Sequence, residues 1–336
     1  MMKTGLFCNY ENYHGDACRA ISEQVALVKH AENLGFEEAW VTEHHFNDFS
    51  VSSSTLMLMA HLAGVTSTIR LGSAAVLLAF HNPITIAEDI ATLDNLCNGR
   101  LSVGIAKGGP FPEQNKHFAT AVNESRAKML EAITLIHKLL YQHDVSFHGK
   151  YYQCEKITVY PKPVQENIPM YVASSDNEAI KFAALNSFGL MGGAAFTMDR
   201  LKSNIVKYHA INSSGSARLM LSRFFFVAST YDKAVSEAKP FIRTFSQRMK
   251  VMSATAHKCG NNSQNLSPLS NQKSNFDEDY LIENSVVGDV ATCRDKIKRF
   301  QDELNLGTLA LKPCSFNLQK NLESLTRYNQ EMQSYV

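Results

Sequence analysis

The sequence lacks the features that mark membrane, secreted and nucleic-acid-binding proteins. No apolar run among its 336 residues approaches the roughly 20 residues that a helix needs to cross a bilayer. The first strand-like segment is followed by polar Asn9, Glu11 and Asn12 instead of the apolar stretch of a signal peptide. A formal net charge of +1 creates no long-range field for nucleic acid or anionic lipid. We therefore expect a cytoplasmic protein that binds neither.

Cysteine is scarce and follows no pairing pattern. The seven cysteines are an odd number and include no C-x-x-C pair. Such usage favours reduced thiols over a disulfide or zinc framework. The composition therefore leaves an intracellular globular protein as the expected class.

Strand-like and helix-like segments alternate along most of the chain, and this order favours a parallel sheet. Eight segments have strand-like patterns, with helical patterns between them. They are residues 3–8, 37–42, 69–78, 101–105, 169–173, 189–194, 219–228 and 307–311. Eight such units predict an α/β fold of the TIM (β/α)8 barrel type and not a doubly wound sheet.

Two segments interrupt this alternation. Residues 145–160 predict a small hairpin insertion around His148-Gly149. Residues 253–279 are rich in Asn, Ser, Gln and Gly, and their apolar surface is too small to offset the cost of ordering them. We expect residues 1–336 to form a single barrel domain in which residues 253–279 are a mobile lid over the barrel mouth. Trypsin should then cut first at Lys258 and Lys273.

One predicted strand ends on three ionisable residues, Glu43, His44 and His45. Catalytic groups of α/β barrels lie where the strands end, and histidine can take or give a proton near neutral pH. Adjacent histidines on a strand face opposite ways, so they are poor joint ligands for one ion and we expect no metal site. The alternative is a surface loop with two solvated histidines.

Two further strand ends carry groups suited to an anion. Lys107 lies in the turn Gly104-Ile-Ala-Lys-Gly-Gly-Pro, which is neither a dinucleotide fingerprint nor a P-loop and is equally compatible with a plain tight turn. Ser174 and Ser175 precede a predicted helix, where they could seat a phosphate or form an ordinary N-cap. The small pair Ala74-Ala75 leaves room for a flat ring or serves close packing.

Taken together, these motifs resemble the bacterial luciferase-like flavin monooxygenases, the class that includes alkanal monooxygenases. The resemblance covers nearly the whole chain in order. It is carried by Glu43-His-His-Phe, Gly72-Ser-Ala-Ala-Val-Leu-Leu, His81-Asn-Pro, Ala87-Glu-Asp, Asn98-Gly-Arg, Phe147-His-Gly-Lys-Tyr-Tyr, Pro169-Met-Tyr-Val-Ala-Ser and Val287-Gly-Asp. It implies a TIM barrel and a monooxygenase that uses reduced FMN (FMNH2) and O2 through a C4a-peroxyflavin on a small organic substrate. It further implies a separate NAD(P)H:flavin reductase as partner and a homodimer or heterodimer.

The resemblance also implies roles for individual residues. His44, beside Glu43, is similar to the catalytic histidine of the family. Ala74 and Ala75 are similar to the pair that abuts the isoalloxazine and is joined by a non-prolyl cis peptide. The residues similar to the flavin-phosphate site are Lys107, Arg126, Ser174 and Ser175.

Two departures from the family pattern leave flavin binding expected but not light emission. The reactive cysteine of the family is Ala106 here, and a tryptophan near the sixth strand is replaced by residues 192–194. One alternative is an F420-dependent oxidoreductase on the same barrel, whose longer cofactor tail would favour more cationic groups around the pocket. The other is a non-catalytic flavin-binding or partner subunit, which the retained Glu43 and His44 oppose and the loss of the cysteine favours.

Overall fold

The computed structural model describes residues 2–109, 112–213, 218–258 and 276–332. Within these ranges, eight parallel strands close into a barrel in chain order, and the first strand pairs with the last. The TIM-barrel prediction is confirmed. No helix in these ranges is both long enough and apolar enough to span a membrane.

The strands are given in chain order. They are β1 (Lys3–Cys8), β2 (Glu38–Val41), β3 (Arg70–Ser73), β4 (Val76–Leu77), β5 (Leu101–Ala106), β6 (Val145–His148), β7 (Gln153–Ile157), β8 (Met170–Val172), β9 (Gly189–Gly192), β10 (Leu219–Val227), β11 (Val286–Gly288) and β12 (Leu306–Pro313). The barrel consists of β1, β2, β3, β5, β8, β9, β10 and β12, while β6 and β7 form the antiparallel hairpin expected from the sequence.

The helices mostly lie between successive barrel strands. They are α1 (Ala17–Asn33), α2 (Thr55–Val65), α3 (Pro83–Leu96), α4 (Pro112–His117), α5 (Ser125–Tyr141), α6 (Asn177–Leu185), α7 (Met198–His209), α8 (Tyr231–Lys258), α9 (Glu278–Glu283), α10 (Val290–Leu304) and α11 (Leu318–Glu331). Apolar side chains between these helices and the barrel strands form the main core, in which Val28, Leu62, Ile90, Ile136 and Leu325 are fully buried.

Three elements of the structure differ from what the sequence patterns predicted. The segment 69–78 is not one strand, because the chain bends between Ser73 and Val76 and only then pairs again with β5. Strand β11 pairs with β10 outside the barrel and was not among the predicted strands, because it has only three residues. The six-residue helix α9 was also missed.

The expected lid is only partly testable. Helix α8 continues to Lys258, so residues 253–258 are helical and not the start of a loop, and α9 begins at Glu278. Alanine at positions 254 and 256 favours this continuation. Residues 259–275 lie outside the described residues, and with them the remainder of the lid prediction.

The barrel interior is filled by large side chains on one level. The indole of Trp40 meets the ring of Tyr171 edge-on, with centroids 5.1 Å apart. A Cβ at Gly72 would lie 2.3 Å from the Trp40 ring, so this glycine leaves space for the indole. Below it, Glu38 accepts hydrogen bonds from Trp40 Nε1 and Thr308 Oγ1, both 2.9 Å long. This packing forms a solid floor beneath the carboxyl-terminal mouth of the barrel.

Candidate active site

His44 lies on a loop that is joined to the loop after β1. The His44 amide donates to the Ser52 carbonyl at 3.2 Å, and the Val51 amide donates to the Tyr10 carbonyl at 3.0 Å. The imidazole is half-buried, with Nε2 3.1 Å from Asn9 Oδ1. Burial, assisted by the charge of Lys312, lowers the pKa of His44 to about 4. The ring is therefore neutral near pH 7.

Glu43 is buried and binds two imidazoles through one oxygen. Its Oε1 lies 2.8 Å from His45 Nε2 and 2.7 Å from His81 Nε2, and its Oε2 accepts the Leu77 amide at 3.2 Å. The sequence patterns assigned His81 only to the His81-Asn-Pro motif and did not indicate this contact. Burial opposes ionisation of Glu43, but the hydrogen bonds from His45 and His81 outweigh it and lower the Glu43 pKa. Burial also disfavours charge on His81, yet the hydrogen bond to Glu43 raises the His81 pKa.

The same three side chains form the candidate metal cluster of the described residues. One ligand atom each from Glu43, His45 and His81 lies within 4.8 Å of the others. Of the adjacent pair His44 and His45, only His45 belongs to this cluster, and the fold brings Glu43 and His81 to it. Both ring nitrogens stand at hydrogen-bond distance from one carboxylate oxygen, so two N–H donors on a carboxylate account for this geometry.

Ala74 and Ala75 lie at the top of the barrel floor. The peptide bond between them is cis, as the resemblance predicted. Ala75 is buried in a cluster with Trp40, Tyr171 and Met191. A Cβ at Gly104 would lie 2.3 Å from the Ser73 carbonyl oxygen, so the neighbouring strand can approach this turn only because position 104 is glycine. The alanine pair and β5 are therefore packed closely together at the barrel mouth.

Lys107 and Arg126 share their surroundings with a carboxylate. Burial, together with the charge of Arg126, lowers the pKa of Lys107, and Asp176 opposes this shift. Arg126 Nε lies 3.0 Å from Asp176 Oδ1. Asp176 also accepts the amides of Glu178 and Ala179 as the N-cap of α6. Asp176 thus already binds the backbone N–H groups of this helix N-terminus that could otherwise bind a phosphate.

The hydroxyl groups of Ser174 and Ser175 have different partners. Ser174 Oγ accepts the Asp176 amide at 3.1 Å. Ser175 Oγ accepts hydrogen bonds from Arg200 Nε at 2.6 Å and from Asn204 Nδ2 at 2.9 Å. Sequence reasoning missed both α7 residues, although a helix that follows a barrel strand begins at the mouth and its first turn carries Arg200.

The position of Arg200 depends on a buried arginine in the barrel wall. Arg223 is fully buried and donates hydrogen bonds of 3.0 Å to the carbonyls of Gly193 and Phe196. Burial lowers the pKa of Arg223 to about 10, which leaves it charged at neutral pH. The Arg200 guanidinium in turn lies 3.9 Å from the centroid of the Phe196 ring. Arg223 thereby fixes the path of the segment that leads into Arg200.

The phosphate-site candidates have a positive balance. Lys107, Arg126 and Arg200 contribute three positive charges and Asp176 one negative charge, which leaves +2. All four follow barrel strands that end at the same mouth as His44 and the Ala74-Ala75 turn. This side of the mouth is suited to a doubly charged anion.

Comparison with known proteins identifies related sequences and folds. A family model described as luciferase-like monooxygenase matches residues 2–304. The oxygenase component of a flavin-dependent trigonelline monooxygenase from Acinetobacter baylyi is 32% identical over 169 residues, which are 49% of this chain and 46% of that protein. The chain spans about half the length of several curated relatives that it matches.

Two solved structures share the fold over the full chain. The oxygenating constituent of 3,6-diketocamphane monooxygenase from Pseudomonas putida, in complex with FMN, superposes with a TM-score of 0.81 at 18% identity, over 100% of this chain and 99% of that one. An F420-dependent secondary alcohol dehydrogenase superposes with a TM-score of 0.76 at 19% identity, over 100% and 99% of the two chains. At these identities, both likenesses concern the fold alone.

Proposed function

Because this chain belongs to the luciferase-like monooxygenase family, we propose that it is the oxygenase of a two-component system that uses FMNH2 and O2 on a small organic substrate. The observation that carries the proposal is the common mouth of the barrel. There a neutral imidazole, His44, stands at the same end as the Ala74-Ala75 turn and a cluster with a charge of +2.

The charge balance supports FMN as the cofactor. A phosphate monoester carries close to two negative charges at neutral pH. Lys107, Arg126 and Arg200 would hold that phosphate, and Ser175 would offer its hydroxyl. The Ala74-Ala75 turn would support the flat ring. F420 carries further anionic groups on its tail, and the described residues of this mouth hold no comparable excess of cations beyond this cluster.

Each residue has a distinct part in the proposed chemistry. Bound FMNH2 would supply two electrons and the C4a carbon at which O2 is activated, so that one oxygen atom enters the substrate and the other leaves as water. His44 would accept and return a proton at the reacting centre. Glu43, braced by His45 and His81, would keep the neighbouring backbone in place. The filled floor under Ala75 would exclude water from below.

Two protein partners belong to the proposal. A relative named as an oxygenase component supports a separate flavin reductase that delivers FMNH2, and we place both proteins in the cytoplasm. A second copy of this chain is supported by α2, which is mostly apolar in sequence and leaves Met57 74% exposed on its outer face beside His61. We propose a homodimer through this helix.

An F420-dependent oxidoreductase is the second candidate, favoured by the fold shared with the alcohol dehydrogenase. Anaerobic titration with FMNH2 and with reduced F420 separates the two. O2 is then admitted to the FMNH2 complex with aldehydes, alkanes and sulfonates, and 18O incorporation and peroxide are measured. The proposal expects FMNH2 binding and 18O in one product class. Preferential binding of reduced F420, or peroxide alone with every substrate class tested, would overturn it.

A further inference from the structure

We propose that Asn9 is a positioning residue that fixes His44 as its Nε2–H tautomer, so that Nδ1 is the atom that accepts a proton. The inference rests on the proposed role of His44 as the proton acceptor, and it adds which ring nitrogen acts and what selects it. Its basis is a chain of contacts that runs from Lys312 through Glu11 and Asn9 to His44.

The orientation of the Asn9 amide follows from Glu11. Asn9 Nδ2 lies 3.0 Å from Glu11 Oε1. An ionised carboxylate only accepts hydrogen bonds, so the atom that faces it must be the amide nitrogen. The other end of the amide is therefore the oxygen Oδ1, which lies 3.1 Å from His44 Nε2. A carbonyl oxygen also only accepts, and Nε2 must consequently carry the proton.

Glu11 forms an ion pair with a buried lysine. Lys312 Nζ lies 2.6 Å from Glu11 Oε1, and the two side chains are only 4% and 13% exposed. The ammonium group also lies 5.1 Å from the centroid of Phe224 and 4.9 Å from that of Phe245, at a distance suited to cation–π attraction. Removal of either partner would leave the other charge unpaired, so the pair keeps Glu11 as an obligate acceptor.

The backbone of Asn9 is fixed as well. The Ser50 hydroxyl donates to the Asn9 carbonyl at 2.6 Å, and Ser50 pairs with Glu11 across the two loops. Asn9 itself is only 6% exposed, which excludes water as a competing partner for its amide. The Asn9 side of the contact with His44 is thus held by bonds that do not involve His44.

The charged groups around His44 act in opposite directions: Lys312 and His45 lower its pKa, whereas Glu43 raises it. They are Lys312 on β12, Glu43 and His45 beside it in sequence, Glu11 on the loop after β1, and Arg248 on α8, whose guanidinium lies 5.2 Å from the centroid of Phe49. Burial and Lys312 lower the His44 pKa to about 4, so the ring is neutral near pH 7. Its one proton lies on Nε2 because of the contact with Asn9. Proton uptake at Nδ1 yields an imidazolium near Lys312, which promotes return of the proton.

The tautomer is measured directly by long-range 1H–15N correlation spectra of the flavin-free protein labelled at histidine, with His44→Gln to assign the signals. We expect a protonated Nε2 and an unprotonated Nδ1 near neutral pH. Asn9→Leu should give a mixture of tautomers. Asn12→Leu is the matched control, because Asn12 lies on the same loop and its amide bonds to the Asp48 carbonyl instead. A protonated Nδ1 in the wild type, or an unchanged tautomer in Asn9→Leu, would overturn the proposal.

Kinetics provide a second measurement. Asn9→Leu should lower kcat about 10-fold or more without weakening flavin binding. Asn9→Asp keeps an acceptor and adds a negative charge, so the acidic limb of kcat/KM should move to higher pH. An Asn9 that only supported the loop would leave that limb in place. If His44→Gln retained full product formation, the role of His44 would fail, whereas the spectra would still decide the tautomer.

Discussion

His81 donates a hydrogen bond of 2.7 Å to Glu43 Oε1 and thereby links two loops at the barrel mouth that are 38 positions apart in sequence. Glu43 is only 2% exposed at its side chain, while His81 is 28% exposed. A buried carboxylate is costly unless it is paired. The pair therefore makes the stability of this mouth depend on the charge of one histidine.

The first prediction concerns this pH dependence. Below about pH 6 His81 is charged in both the folded and the unfolded protein, and its attraction to Glu43 stabilises the fold in full. Because the folded pKa of His81 is raised, this contribution is lost as the pH rises through it. Glu43→Gln should cost about 1–3 kcal/mol of unfolding free energy in the acidic range and less in alkaline buffer.

Denaturant unfolding at several pH values measures this difference. Glu113→Gln is the matched control, because Glu113 pairs with His117 at 3.0 Å on the surface and should change stability by less than about 1 kcal/mol. A loss in Glu43→Gln that is equal at all pH values would show that His81 does not titrate against this carboxylate.

The second prediction concerns His44. His44→Ala should bind FMNH2 nearly as the wild type does but lose about 10²-fold or more of product formation, with peroxide released instead. His117→Ala, which removes an exposed histidine on α4, should leave both unchanged. Stopped-flow binding and product analysis test the pair. Coupled turnover retained in His44→Ala would move the proton role to another residue.

The third prediction concerns the flavin phosphate. Lys107→Ala, Arg200→Met and the Ser174→Ala/Ser175→Ala double variant should each weaken FMNH2 binding by about 1–3 kcal/mol. Binding of reduced riboflavin, which has no phosphate, should change little. Lys202→Met is the matched control on α7, since Lys202 pairs with Glu303 at 2.7 Å. Equal losses for FMNH2 and riboflavin would indicate damage to the fold, and unchanged FMNH2 affinity in all three variants would place the phosphate elsewhere.

The fourth prediction concerns the glycine beside the alanine turn. Gly104→Ala places a Cβ 2.3 Å from the Ser73 carbonyl and 2.5 Å from Met191 Sδ, so it should cost about 1–3 kcal/mol of stability and weaken flavin binding. Gly64→Ala meets no atom within 4 Å in α2 and should stabilise by about 0.5–1 kcal/mol. Thermal unfolding of both variants tests this contrast. A neutral Gly104→Ala would contradict the close approach of β5 to the turn.

The fifth prediction concerns the proposed homodimer. Met57→Glu on α2 should shift the protein towards monomer in light scattering, because a charge would be buried in an apolar interface. Leu185→Glu alters an equally exposed apolar residue on α6 and should leave the mass unchanged. A monomeric wild type, or a dimer that Met57→Glu does not affect, would reject this interface.

The barrel could be predicted from the sequence because each strand is a short apolar segment that local patterns identify. The position of His44 followed for the same reason, since a strand end determines where a side chain emerges. His81 could not be predicted, because its partner Glu43 is distant in sequence and no spacing rule connects them. Arg200 was missed for a related reason: its bond to Ser175 depends on the relative placement of α7 and the segment between β8 and α6.

The N-cap at Asp176 could not be predicted from the sequence for a different reason. The sequence Ser174-Ser-Asp-Asn contains four possible capping side chains, and local chemistry ranks them almost equally. The fold selects Asp176 because Arg126, from another β–α unit, lies 3.0 Å away and stabilises its charge.

Arg223 has a consequence for how this protein can change over evolutionary time. Its guanidinium binds backbone carbonyls of Gly193 and Phe196, and such bonds do not depend on which side chains that segment carries. Substitutions between those two carbonyls can therefore accumulate without displacing Arg200. The sequence of this part of the rim can thus change while Arg200 keeps the place that we propose for it in the phosphate site.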